Sequence, residues 1–335
     1  MLYVKPPSTD AAVHFSVEAY FMEQFPLTRP LFMIWQADRT AMIGSYQVAR
    51  AEVNARYAGE QNIQIVRRQS GGGTIFTDMG TLLYTLILPG SGDMSPADVV
   101  KEAFAAPMIR ALRKLGIPAE LKGRNDILVA GKKVCGIAQH ARRGRICTHG
   151  SLLYDTDLDM LASVLQVDPA KIQSKAIPSI RSRVTNLKPY MEHPVSTPEF
   201  RALLEEKLAE EWDMCPYTLT EADMTRVDTI YRERFGNPNW SRDRTPRFSF
   251  RNSKRFPGGR VTVFLDIRRE TVAEAAICGD FLGTVPIRGL EAALEGQAFQ
   301  YRSIAQILAD VDLRPFLGEI SRDEFLSCLF DEAMT

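Results

Sequence analysis

The chain has 335 residues, 45% of them apolar and 24% charged, and its 41 basic and 41 acidic side chains cancel to zero net charge. This is a folded composition with room for two domains, and the charge balance argues against a general nucleic-acid or membrane-surface binder. No apolar run approaches the roughly 18 residues of a membrane span, no secretory signal opens the chain, and five scattered cysteines, none in a CxxC, read as reduced thiols of a cytoplasmic protein rather than a disulfide frame or zinc site.

In chain order, Asp10 caps a helix reaching about residue 24, with Val13, Val17, Tyr20 and Phe21 on one face. Short strands follow over 31–35 and 40–43, then a helix over 48–58. The alternation in 61–66 predicts a strand that enters Arg67-Arg68-Gln69-Ser70-Gly71-Gly72-Gly73-Thr74-Ile75-Phe76, and 81–88 reads as a buried β run. Triple glycine lets the backbone take positive φ and turn its N–H groups onto an anion; a flexible hairpin tip with two solvated arginines is the competing reading.

Ser95-Pro96 opens a long helix by the cap-then-proline rule, Phe104, Met108, Leu112 and Leu115 give it a core stripe, and Gly116 with Pro118 ends it. Residues 119–139 read as strand, turn and strand about Ala130-Gly131, with Asp126 and Lys133 close to opposite one another. Such a pair is either a cross-strand salt bridge or the point cation needed where a carboxylate attacks an α-phosphate. An Asp or Asn beside it can hold a divalent metal or orient a ribose.

Arg142-Arg143-Gly144-Arg145 is a basic turn, 146–154 a strand carrying His149-Gly150, and 158–165 a helix. Residues 171–187 lack periodicity and predict a long functional loop. Helices marked by Phe200, Leu204 and Leu208 and by 221–235 come next, with Asn237-Pro238-Asn239-Trp240 as a turn. The tail alternates strands (247–254, 261–267, 272–278) and closes in helices near 303–309 and 323–330, with a domain boundary near 240–246.

Arg67–Gly73, Gly123-Arg124-Asn125-Asp126, Lys133 to Gln139, His149-Gly150-Ser151-Leu152-Leu153 and Arg181-Ser182-Arg183-Val184-Thr185-Asn186 stand in the order and at the intervals of lipoate–protein ligases, which the chain resembles over roughly 10–330. The tail resembles that family's accessory domain in Asn237 to Trp240, Lys254-Arg255-Phe256 and Gly279 to Gly283. The resemblance implies an α+β fold: a large mixed-sheet catalytic domain of biotin/lipoyl ligase type over 1–243 and a smaller α/β accessory domain over 244–335.

It further implies that lipoate (or octanoate) and ATP, with Mg2+, give an acyl-adenylate, whose acyl group passes to a lysine of an acceptor. The acceptors implied are lipoyl domains of 2-oxoacid dehydrogenase E2 subunits or the glycine-cleavage H protein. By position, Lys133 and Asp126 carry the catalysis, with Asp126 a candidate metal ligand. Arg68, Ser70, Gly71, Gly72, Gly73, Gly136 and His149 face lipoate. Gly73, Thr74, Ile75, Phe76, Asn125, Asp126, Lys133, Ser151, Arg181, Arg183 and Val184 face the adenylate, and 171–186 close over it.

Two places depart from the family pattern. Thr77-Asp78 and Thr81 stand where a His-Asp pair and an Asn are usual, and Glu18-Ala19 where paired glutamates are; both bear on lipoate against octanoate. Cysteine-thioester transferases share the expected fold but place a nucleophile where Arg124-Asn125-Asp126 stands here. A biotin ligase would need an adenylation motif that this chain lacks, and a non-catalytic lipoyl-binding protein would have no use for Lys133, Asp126 and Ser70 together.

Overall fold

The computed structural model describes residues 1–90, 92, 94–165, 183–241 and 248–330. The chain divides into two compact units. The first comprises Met1–Met42, Val53–Val66 and Ile75–Ser241; the second comprises Ile43–Glu52, Arg67–Thr74 and Arg242–Thr335. The glycine stretch therefore clusters with the C-terminal residues. The expected boundary at 240–246 and the expected loop at 171–187 fall largely on 242–247 and 166–182, outside the described residues.

The strands of the N-terminal two thirds are β1 (Leu2–Val4), β2 (Leu31–Trp35), β3 (Thr40–Ile43), β4 (Gln64–Arg67), β5 (Ile75–Thr77), β6 (Thr81–Leu88), β7 (Ala119–Lys122), β8 (Asp126–Val129), β9 (Lys132–Arg142), β10 (Arg145–Leu153) and β11 (Cys215–Tyr217). Eight of them make a mixed sheet in the order β11-β1-β2-β6-β10-β9-β8-β7, parallel only where β1 meets β2 and β11. All eight residues of β6 are buried because its alternate side chains serve two cores. Leu82, Tyr84, Leu86 and Leu88 enter one, Leu83 and Ile87 the other.

The first core is closed by the helix Ala106–Lys114 and the π-helical turn Val99–Ala105 before it. Ser95 and Asp98 start this stretch with a reciprocal capping box. Pro107 has no amide to donate, and just before it the Ala106 amide reaches back five residues to the Lys101 carbonyl, the wider π winding.

The second core is built on α1 (Ala11–Glu23), whose N-cap Asp10 accepts from the Ala12 amide. The expected one-sided helix is instead buried all round save Val13. The sheet covers one side, and Val227, Ile230 and Phe235 of the later helices pack into the same core. Polar residues of α1 therefore need partners inside the protein.

β4 and β5 do not pair with each other, since β3 lies between them. The glycine stretch is thus a crossover, not a hairpin tip. Other expectations shift locally. The helix at 48–58 breaks into Ala49–Glu52 and Ala55–Glu60, because Val53 bridges to Leu165 and Asn54 caps the second piece. The turn at 237–240 is a short helix, Pro238–Ser241.

In the second unit, β12 (Phe250–Phe256), β13 (Gly259–Arg268) and β14 (Thr271–Gly279) form an antiparallel meander. Val261, Val263, Leu265 and Ile277 from its buried face meet Leu290, Ile304, Leu308 and Phe325 from the helices that follow. No helix among the described residues is long and apolar enough to cross a membrane.

Candidate active site

In the first unit, Ala130 and Gly131 both take positive φ (49° and 74°), the two-residue turn that joins β8 tightly to β9. The pairing then slips between Ile127 and Leu128, so Lys133 lies opposite Leu128 and Asp126 opposite Gly136. Asp126 and Lys133 are therefore offset, not opposite as expected, yet their side chains meet, with Nζ 2.7 Å from Oδ1. The lysine reaches that carboxylate by lying across Gly136, where a Cβ would come 2.9 Å from Nζ and 3.1 Å from Cε. Both side chains stay open to solvent, the lysine 39% and the aspartate 36% exposed.

Around this pair, Asn125 donates from Nδ2 to the Ile137 carbonyl and accepts from the Ile137 amide at its own carbonyl. Val184 bridges to Lys133 in parallel, and the Thr185 amide donates to the Lys133 carbonyl at 3.0 Å. Ser151 on β10 is the direct partner of Gly136. Asn125, Asp126, Lys133, Gly136, Ser151 and Val184 are thus brought together; Arg183 is exposed and Arg181 lies outside the described residues.

Along the same sheet face, the next pair after Gly136/Ser151 is Ala138/His149, and the one after that His140/Cys147. His149 meets Glu18 on α1, which the sequence marks only as a departure from paired glutamates, with its Nδ1 3.3 and 3.4 Å from the two carboxylate oxygens. The Thr85 hydroxyl donates to Glu18 and accepts from Trp35 Nε1 at 3.1 Å. Burial pushes the Glu18 carboxyl up, but His149 and the Thr85 hydroxyl pull it below the usual glutamate value. The signal was a glutamate in the middle of a helix otherwise built for a core.

On the opposite face, Cys135 is buried beside the Tyr84 hydroxyl, and burial pushes its thiol up to about 12. Gly150 is there for steric reasons, since a Cβ would enter the Tyr84 ring at 2.7 Å. Thr77 and Thr81 are buried; Thr81 shares a hydrogen bond with Thr156 at 2.7 Å, and Asp78 accepts from the Gly80 and Asp157 amides. Phe76 is buried and Ile75 packs at the margin of the second core.

The glycine stretch, in the second unit, is rigidly wired. Arg67 donates to the carbonyls of Gly44 and Gln47. Arg68 donates from Nε to the Ser70 hydroxyl and from Nη2 to the carbonyls of Gly71 and Gly73. Both arginines are buried, so neither is the solvated cation of a loose tip. The Gly72 amide donates to the Phe281 carbonyl, and Gly72 has φ 85°. A Cβ at Gly71 would lie 2.6 Å from the Phe281 carbonyl oxygen, whereas one at Gly73 would meet nothing within 4 Å. Thr74 donates to the Gln47 side chain at 2.8 Å.

Comparison with known proteins finds matches for both parts of the chain. Residues 10–209 match the family described as Lipoyl protein ligase A/B catalytic domain, and residues 245–329 match Bacterial lipoate protein ligase C-terminus. Lipoate-protein ligase LplJ of Bacillus subtilis (strain 168) is 35% identical over 324 residues, which cover 96% of this chain and 97% of that protein. P. falciparum LipL1 in complex with lipoate has the same fold, with a TM-score of 0.78 over 98% of this chain and 97% of that one, at 16% identity. A bipartite lipoate protein ligase from Thermoplasma acidophilum, described with its E2 lipoyl domain, matches at a TM-score of 0.64 and 26% identity over 74% of this chain and 98% of its own. A lipoate-protein ligase A bound with ATP matches at 0.61 and 26% identity, over 72% and 97%. With both of its parts matched in order, the chain belongs to the lipoate–protein ligase family.

Proposed function

We propose that this protein condenses lipoate with ATP to lipoyl-AMP and pyrophosphate, then passes the lipoyl group to the ε-amine of an acceptor lysine. The observation that carries the site assignment is the Lys133 ammonium lying across Gly136 at the head of a strip of small residues. Lipoate's carboxylate and the α-phosphate of ATP repel one another. A compact cation between them stabilises both, and most of all the transition state in which the phosphate gathers charge.

From that ammonium the Gly136/Ser151 and Ala138/His149 pairs follow at about 7 Å intervals. An extended acyl chain anchored at Lys133 fits along this floor, with its far end toward His149 and Glu18. Asp126 holds the ammonium in place before substrate arrives and stands beside the phosphate and the incoming amine afterwards. Asn125, Ser151, Arg181, Arg183 and Val184 are assigned to the nucleotide. In the glycine loop Arg68 and Ser70 set the backbone's shape, and Gly71, Gly72, Gly73 and Thr74, continuing into Ile75 and Phe76, present it to lipoate and the adenylate.

Mg2+ takes oxygen ligands and keeps several waters, so one protein carboxylate with the triphosphate suffices for it. Asp126, partly exposed, fits as that carboxylate, and the ion would neutralise phosphate charge. The lysine acceptors we assign are lipoyl domains of 2-oxoacid dehydrogenase E2 subunits or the glycine-cleavage H protein. Five cysteines without a disulfide fit a cytoplasmic setting.

The test is incubation with lipoate, MgATP and a lipoyl domain, read as pyrophosphate release and as mass added to the acceptor. The Lys133→Ala variant should lose about 10²–10³-fold in adenylate formation with an unchanged circular dichroism spectrum. Near-normal turnover of that variant would remove the lysine from its role. Cys135→Ser should remain active, since a buried thiol raised to about 12 is no nucleophile.

A further inference from the structure

One cation on the same sheet face as Lys133 has no part in the chemistry assigned so far. Asp126 pairs directly with Lys122 on β7 and with Gly136 on β9, and Gly136 pairs with Ser151 on β10. Direct partners in antiparallel strands project from the same face, so Lys122, Asp126, Gly136 and Ser151 form one row across four strands. The neighbouring residues fix which face this is. Ile127 belongs to the first core and Leu121 packs against it, which turns Lys122 and Asp126 to the opposite side together. Lys122 is exposed and makes no ion pair among the described residues, whereas Lys133 is held by Asp126.

The row has a direction. The floor assigned to the acyl chain lies on β9 and β10, while Asp126 and Lys122 lie on β8 and β7, on the far side of Gly136. With strands about 4.8 Å apart, Lys122 stands roughly 10 Å across the sheet from Gly136, on a flexible four-carbon stem that can lean inward. Adenylation is an in-line displacement. A carboxylate oxygen of lipoate bonds to the α-phosphorus, the bond from that phosphorus to the α,β-bridging oxygen breaks, and its electron pair leaves with pyrophosphate; no proton moves. The entering oxygen comes from the acyl floor, so the leaving oxygen departs toward β8 and β7. Charge gathers on it in a loose transition state, and Lys133, placed where carboxylate and α-phosphate meet, does not also serve the outer phosphates.

We propose that Lys122 binds the pyrophosphate leaving group, taking the β- and γ-phosphates while Lys133 takes the α-phosphate and the lipoate carboxylate. The inference rests on the adenylation reading and adds a second, differently placed cation to it. The Asp126 carboxylate stands between the two ammoniums and offsets their mutual repulsion. A compact, strongly hydrated ammonium suits the end of a polyphosphate, which must arrive from water and leave into it. The plainer role for an exposed lysine here is to deter strand pairing with other chains, β7 being the last strand of its sheet. That role would favour neither half of the reaction over the other.

The two half-reactions separate these roles. Full-length wild type, Lys122→Met and Lys122→Arg are assayed for pyrophosphate release from lipoate and MgATP. They are assayed separately for transfer from preformed lipoyl-AMP to a lipoyl domain, where no pyrophosphate takes part. Lys122→Met should cut pyrophosphate release about tenfold and weaken inhibition by added pyrophosphate by a similar factor, while transfer stays within about twofold of wild type. Lys122→Arg, which keeps the charge, should recover most of the release. Equal release by wild type and Lys122→Met overturns the proposal, and so does a loss shared equally by both half-reactions. A wild-type chain that releases no pyrophosphate would overturn the adenylation reading and this inference with it.

Discussion

Among single residues, Gly136 separates what the fold needs from what the chemistry needs. A methyl group there meets only the end of the Lys133 side chain, 2.9 Å from Nζ, and a flexible side chain moves aside at little cost. Gly136→Ala should therefore hold stability within about 0.5 kcal/mol. The displaced ammonium, however, no longer sits where the two anions meet, and adenylate formation should fall about 10- to 100-fold. Urea midpoints and pyrophosphate release on the same samples check both halves, and equal activity would detach Gly136 from the site.

Lys133 itself was legible because its motif is local: a strand, a two-residue turn and a second strand fix where Asp126 and Lys133 can go. Their offset was not legible, since nothing in the residues announces the slip between Ile127 and Leu128. The meeting of Glu18 with Thr85 and Trp35 was not legible for another reason. They come from α1, β6 and β2 and converge only in the folded chain.

Elements with a strong period came through well. The α1 cap and the strands 31–35 and 40–43 stand where alternation and capping put them. The three-residue strands β1 and β11 carry no pattern of their own and exist because a neighbouring edge offers hydrogen bonds. What joins these edge pieces to α1 is Asp223, only 7% exposed. It accepts from the hydroxyls of Tyr20 on α1, Tyr217 on β11 and Thr220, and from the Thr220 amide.

Burial alone would raise the Asp223 carboxyl, but these donors hold it down to about 2. In the unfolded chain it protonates near its ordinary value of about 3.9, so between those pH values unfolding takes up a proton. The contribution, about 2 kcal/mol, is complete above pH 4 and is lost as pH falls through 2. Asp223→Asn should lower stability by about that amount at pH 7 and by much less near pH 2. A destabilisation that stays constant across that range would mean packing, not the charged hydrogen bonds, links these elements.

For the molecule as a whole, the two compact units do not follow chain order, because segments 43–52 and 67–74 cluster with the C-terminal residues. No sequence period foretells this; it rests on main-chain bonds, one aromatic pair, a tyrosine hydroxyl and an ion pair. Within the second unit the Gly72 amide donates to the Phe281 carbonyl and the Gly279 amide to the Tyr46 carbonyl. The Tyr46 ring stacks on Phe281 at 4.9 Å and its hydroxyl donates to the Val285 carbonyl, while Glu52 pairs with Arg260.

Among the described residues, the two cores of the first unit draw no buried residue from beyond Phe235. A chain ending at Ser241 should therefore retain a cooperative unfolding transition. Its residues 43–52 and 67–74 should lose amide protection, most of all at Gly72, whose acceptor on Phe281 is gone, while the bonds of Ser45 to Ser70 and of Arg68 to Ile43 remain. Each lost backbone hydrogen bond is worth about 1 kcal/mol. Losing two should raise the lipoate concentration needed for half-maximal pyrophosphate release at least about tenfold. If those segments stay protected in the truncated chain, their order comes from the first unit, and the C-terminal residues are not what holds the glycine loop in shape.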